Sequence, residues 1–278
     1  MNRRIAWHGL RLLLRVSLAI GMILFGISKV IPVQMPAPEL STYLLRVGEL
    51  SPARMLSTFL GYSPAYQRFT GLAELLGGVL LLARRTTLLG ALISAANLVM
   101  ACALALCYGA PWKLPSFLLL LMAVLLIAPD LRRLADLLVF DRAVEPVEET
   151  RSRFDRLVPL LGLAVIVWSS VSAIREYRQL DRPTPPISPM YGVWNVEEGP
   201  ETWRRVIFEK PGVLDVEHAI GSRTSYRIDP DDLTFDRPEP GVLLLDGEVA
   251  GLRTRAKLRR MNLLGDRFHW ILDPEEEE

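Results

Sequence analysis

Residues 69 to 100, FTGLAELLGGVLLLARRTTLLGALISAANLVM, are two apolar runs separated by Arg84-Arg85-Thr86-Thr87. The first run carries a carboxylate, Glu74, and the second carries Asn97. A charge at the centre of a membrane helix costs roughly 2.5–3.5 kcal/mol on insertion scales. Glu74 therefore needs a partner, and that requirement limits how the neighbouring helices pack.

Other apolar runs of spanning length surround this one. LRLLLRVSLAIGMILFGISKVIP lacks a small-x-small cleavage site and continues into Lys29 and Pro32. It reads as a first transmembrane helix at about 10–31 rather than a cleavable signal peptide. Further spans are expected at about 66–83, at about 87–107, and from about Leu114 to Ala128, after the breakers Gly109, Pro111 and Pro115. LRRLADLLVF then extends the fourth along the interface, and LVPLLGLAVIVWSSVSAI gives a fifth span at about 157–174. Between the first two spans, residues 36–64 are Pro-punctuated and amphipathic, suited to short helices at the bilayer surface.

After a Pro-rich spacer the character changes. VWNVEE, WRRVIFEK, VLDVEHAIG, TSYRIDP, DLTFDR, GVLLLDGEVAG, LRTRAKLRRMN and RFHWILD are short, rich in β-branched and aromatic residues, and punctuated by Gly, Pro, Asp and Asn. They predict an antiparallel β-domain, with Trp194 as an internal plug and EEEE as a solvated acidic tail. The expected fold is thus an all-α membrane bundle of four helices plus a fifth transmembrane helix, followed by a small all-β barrel or sandwich. The boundaries are 1–140 for the bundle, 141–182 for a cytoplasmic linker, fifth helix and spacer, and 183–278 for an extracytoplasmic β-domain.

Charge supports this division. Residues 1–182 hold 20 Lys/Arg against 12 Asp/Glu, and residues 183–278 hold 12 against 19. The net charge of +1 averages a basic apolar half and an acidic polar one, so it gives no footprint for nucleic acid. Arg3, Arg4, Arg11, Arg15, Arg84, Arg85, Arg132 and Arg133 gather at one set of span ends. The positive-inside rule places that side, and the N-terminus, in the cytoplasm. Five crossings then deliver the β-domain to the far side.

By helical rise, Lys29, Glu74 and Asn97 fall at comparable depth in the outer half of the bundle. Two readings stay open: polar residues that hold helices together, or a polar pocket for a headgroup or a proton path. Cys102 and Cys107, the only cysteines, lie about 140° apart on a helix, which disfavours a mutual disulfide. Cys107 sits beside an outer loop carrying Tyr108 and Lys113, and a cationic neighbour lowers a thiol pKa. It is the candidate redox thiol. The three histidines are dispersed without metal-ligand spacing, and no phosphate-binding loop, nucleophile elbow or C-x-x-C occurs.

Gly26-x-x-Lys29 followed by Gly71-x-x-Glu74-x-x-Gly77-Gly78-x-x-Leu81 resembles the DoxX family of small four-helix membrane proteins. The resemblance covers about residues 12–140. SKVIPVQMPAP, GYSPAYQRFTGLAELLGGVLLLARRTT and CYGAPWKLPSFLLLLMAVLLIAPDLRRL are similar to larger relatives with a C-terminal soluble tail. The resemblance implies a bacterial inner-membrane protein linked to quinone redox chemistry, with a quinone-like ligand near Lys29, Glu74 and Asn97. Where those relatives carry an Asp in the third-to-fourth loop this chain has Gly109, which argues against conserved catalysis. The expected role is a partner subunit without a complete catalytic centre, in contact with membrane lipids and a membrane or periplasmic protein. The alternative is a non-catalytic anchored module whose β-domain binds a protein partner or a lipid-like ligand.

Overall fold

The computed structural model describes residues 2–140, 142, 157–179, 190–209, 212–228, 233–249 and 251–261. The chain forms two compact units, one of residues 1–37 and 50–180, the other of residues 38–49 and 181–278. The strand expected at RFHWILD, the acidic tail and most of the 141–156 linker lie outside the described residues.

The first unit is helical: α1 (Asn2–Val30), α3 (Pro52–Tyr62), α4 (Pro64–Leu82), α5 (Thr87–Cys107), α6 (Lys113–Ile127), α7 (Leu131–Leu138) and α8 (Val158–Gln179), with α2 (Leu40–Tyr43) belonging to the other unit. Local chemistry sets several of these ends. Ser51 and Ser63 each occupy an N-cap, accepting from the backbone N–H of Arg54 and Tyr66 at 3.3 Å, and each is followed by a proline at the first helical position. At the other end of α4, the buried Arg15 guanidinium donates to the carbonyls of Leu81 and Leu82, both at 2.6 Å. Those carbonyls have no partner within their own helix, so a side chain from α1 terminates α4.

Around this frame the exposed surface is apolar. Leu72, Leu76 and Val79 of α4, Val99 and Leu106 of α5, Leu118 and Leu121 of α6, and Leu163 and Val167 of α8 all face outward. A helix that is apolar on its outer face as well as its inner one is suited to lipid. Among the described residues, four helices are long and apolar enough to cross a membrane: Gly9–Val30, Arg84–Cys107, Lys113–Leu137 and Val158–Gln179. The expected span at 66–83 is helical as α4 but falls outside this set. Gln67, Arg68, Thr70, Glu74 and its glycines dilute its hydropathy.

The second unit is a seven-stranded antiparallel sheet in the order β4-β3-β2-β1-β7-β6-β5. Its strands are β1 (Gly192–Glu198), β2 (Trp203–Phe208), β3 (Val213–His218), β4 (Arg223–Arg227), β5 (Leu233–Asp236), β6 (Val242–Val249) and β7 (Leu252–Met261). It curls into a half-barrel rather than the closed barrel or two-sheet sandwich expected. Phe208 of β2 and Phe235 of β5, far apart in the strand order, meet edge to face at 5.9 Å. Trp194, Leu214, Leu243, Leu245 and Leu258 fill the concave side. The Trp194 indole N–H donates to the Met190 carbonyl at 2.8 Å, which satisfies its one polar atom.

Residues 38–49 cover the opposite face of this sheet. Val193 and Ile207 are cross-strand partners pointing away from the concave core, and both are buried by Leu40 and Leu44. The Leu40 N–H, at the start of α2, donates to the buried Glu209 carboxylate at 2.9 Å, and Arg223 donates to the Ser41 carbonyl at 2.7 Å. The amphipathic segment expected at 36–64 is therefore divided. Its first part packs on the β-sheet, and its second part, α3, packs with α4.

Candidate functional site

α4 is the helix against which α1 and α5 both pack, and glycines make that geometry. A Cβ on Gly26 would lie 2.9 Å from the Gly71 carbonyl, and one on Gly90 would lie 3.0 Å from the Gly77 carbonyl. Such approaches exclude any side chain at the crossing points. Lys29 on α1 and Glu74 on α4, each one turn along its own helix from the first crossing, reach toward each other across it, with Lys29 Cβ against Gly71. Lys29 Nζ donates to Glu74 Oε1, and the pair forms a salt bridge. Glu74 is 5% exposed and lies near the middle of its helix, about 15 Å from Pro64 by helical rise. A carboxylate at that depth with no cation would be strongly disfavoured; pairing offsets the cost.

Both residues line a cavity of about 100 Å³. Asn97 lines it as well, so the three residues singled out in the sequence share one space. The Asn97 amide is partly engaged, its Nδ2 donating to the Ile93 carbonyl of its own helix at 2.9 Å. Apolar and aromatic walls come from Phe25 and Met35 near α1, Leu60 of α3, Leu104 of α5 and Trp112. An engineered cavity of ~150 Å³ lined by apolar side chains takes up benzene, so this space is on the scale of a small ring or several waters.

Two features of the floor were not visible in the sequence. Glu74 Oε2 is buried without a hydrogen-bond partner. Gln67, 2% exposed and two turns before Glu74, has neither its amide oxygen nor its amide nitrogen satisfied, and it lines the same cavity. The seven-residue spacing of Gln67 and Glu74 puts both on one face of α4, which is the one trace of this floor in the sequence.

Cys107 does not line the cavity. It is exposed at the end of α5, Cys102 is buried, and both are free. Among the described residues no group of three or more His, Cys, Asp or Glu side chains is placed to hold a metal ion. Away from the cavity, Asp130 is held by Arg11 at 2.8 Å and Arg133 at 3.2 Å, which ties the start of α1 to the end of α6. The chain matches no family model, no curated protein and no solved structure.

Proposed function

We propose that this chain is a five-span, DoxX-like membrane protein whose helical unit binds the headgroup of a quinone-like amphiphile. The observation that carries this reading is the floor of the cavity: a buried Lys29–Glu74 pair with Glu74 Oε2 unmet, beside Asn97 and the unsatisfied Gln67 amide. Buried polar groups are nearly always hydrogen-bonded, and exceptions at the floor of an apolar cavity suit a ligand. Lys29 and Glu74 would hold a ring oxygen, Asn97 would flank it, and the apolar walls would take the ring. A quinone-like group would supply the redox chemistry. In this reading the protein acts as a partner subunit rather than a complete oxidoreductase.

Parity supports the fifth crossing. Residues 38–49 follow α1 and the sheet follows α8, yet the two pack together and so share one side of any membrane. An even number of crossings must separate them, and α4, α5, α6 and α8 supply four. Without α4 the count is three, and the two partners would be stranded on opposite sides. At 19 residues α4 is ~28 Å long, close to the ~30 Å hydrocarbon thickness. With the arginine-rich ends facing the cytoplasm of a bacterial cell, the sheet lies outside the inner membrane, placed to meet a protein partner there. A lipid-like ligand inside the sheet is less well supported, because its concave side is filled by side chains.

The test is titration of the purified full-length protein with a quinone analogue, native against Glu74→Gln. Saturable binding by the native protein, lost in a variant that still melts cooperatively, is the expected result. Equal binding by both proteins, or none by either, overturns the assignment.

A further inference from the structure

Gln67 is the strangest residue in the helical unit. Its amide is 2% exposed, and neither polar atom has a partner. Nothing in the packing needs an amide there: Met or Leu would fill the volume without two unmet polar atoms. Thr70, between Gln67 and Glu74, has no proton to give a ligand, because its hydroxyl donates to the Gln67 backbone carbonyl at 2.9 Å. The floor of the cavity thus presents two separated polar ends along one face of α4, with Phe25, Leu98 and Leu104 among the walls.

We propose that Gln67 is the second recognition group of this site, and that the ligand is a neutral, flat, two-ended molecule with polar atoms at opposite ends of one ring. This rests on the reading of the cavity as a headgroup site. The spacing carries the argument. Seven residues of α-helix rise ~10.5 Å, and both side chains lean toward the helix N-terminus, so the offset between their polar atoms is kept. Two oxygens at opposite ends of a six-membered ring are roughly 5–6 Å apart, and a hydrogen bond of about 2.8 Å at each end extends the reach to ~11 Å. The two ends differ in chemistry. Glu74 Oε2, on a carboxylate already paired with Lys29, accepts only, so the ring presents a hydroxyl to it. The Gln67 amide donates or accepts, so the other end is a hydroxyl or a carbonyl. Because Lys29 and Glu74 neutralise each other, a charged headgroup gains nothing that a neutral one lacks.

The experiment compares three probes with the same tail, 2-decylhydroquinone, 3-decylphenol and the dimethyl ether of the hydroquinone, on the full-length protein in detergent. The native protein binds the hydroquinone at least tenfold more tightly than the one-ended phenol, and the ether least. Gln67→Met lowers hydroquinone affinity to that of the phenol, leaves phenol affinity unchanged, and raises the melting temperature of the ligand-free protein. A Gln67→Met protein that melts lower than native identifies the amide as structural and overturns the proposal. Equal affinity of the native protein for hydroquinone and phenol overturns it too, while phenol binding that is lost in Glu74→Gln leaves the headgroup site standing. No saturable binding of any probe overturns both.

Discussion

Gly26 and Gly71 meet backbone to backbone one helical turn before Lys29 and Glu74. A Cβ on Gly71 would lie 2.7 Å from the Gly26 carbonyl oxygen and equally close to Lys29 Cβ. The contact sets the separation of α1 and α4, and with it the geometry of the ion pair. Gly71→Ala should push the helices apart at a cost of ~1–3 kcal/mol, typical of overpacking. Thermal unfolding in detergent measures it, and an unchanged midpoint would mean the crossing tolerates a methyl group.

The Lys29–Glu74 pair should be strongly coupled. Removing one partner leaves the other charge buried, so Lys29→Met or Glu74→Leu alone should cost ~3–5 kcal/mol. The double variant Lys29→Met/Glu74→Leu leaves no charge and should cost far less than the sum. A double-mutant cycle from denaturant unfolding decides this; additivity within ~0.5 kcal/mol would show that the pair is not a unit.

Arg15 stabilises the end of α4 from another helix, through two bonds to carbonyls. Hydrogen bonds to a charged group contribute ~1.5–3 kcal/mol each and do not add fully. Arg15→Met should lower stability by at least ~2 kcal/mol. Arg15→Lys should recover only part of it, because an ammonium lacks the fork that reaches two carbonyls. Full recovery by lysine in the same unfolding assay would mean that charge alone matters.

The docking of residues 38–49 on the sheet makes a topological prediction. In a Cys107→Ala background, Val47→Cys (71% exposed) and Ile220→Cys (90% exposed) should react with an impermeant maleimide from the same side of sealed vesicles. Labelling from opposite sides would remove α4 from the set of crossing helices. Glu209→Ala should raise hydrogen exchange across residues 38–49, because the Leu40 N–H loses its acceptor.

Much of this architecture is written in local patterns. Twenty-residue apolar runs specify helices that can only be buried or in lipid, and alternating β-branched segments between turn residues specify strands. Lys29, Glu74 and Asn97 could be placed together because depth along a helix follows from residue counting. Gln67 does not stand out in the sequence because its significance lies in what surrounds it: an amide is ordinary at a helix start and unusual only when buried without partners. The division of the 36–64 segment was likewise invisible. Leu40 and Leu44 look like any amphipathic pair until the outer face of β1 and β2 exists to receive them. That surface is encoded far downstream, and no pattern local to residues 38–49 points to it. The open, half-barrel form of the sheet is equally non-local, since strand order depends on pairings such as β1 with β7 that skip most of the domain.

That separation has a consequence for how the molecule is made. Leu40 and Glu209 are 169 residues apart in the chain. At synthesis rates of ~5–20 residues per second, roughly ten to thirty seconds pass between the emergence of the first and that of the second. Throughout that interval the Leu40 and Leu44 side chains wait without their surface, and they gain it only once β1 and β2 have been translated. A truncated or stalled product therefore carries an apolar tag in its first loop, which the finished protein conceals.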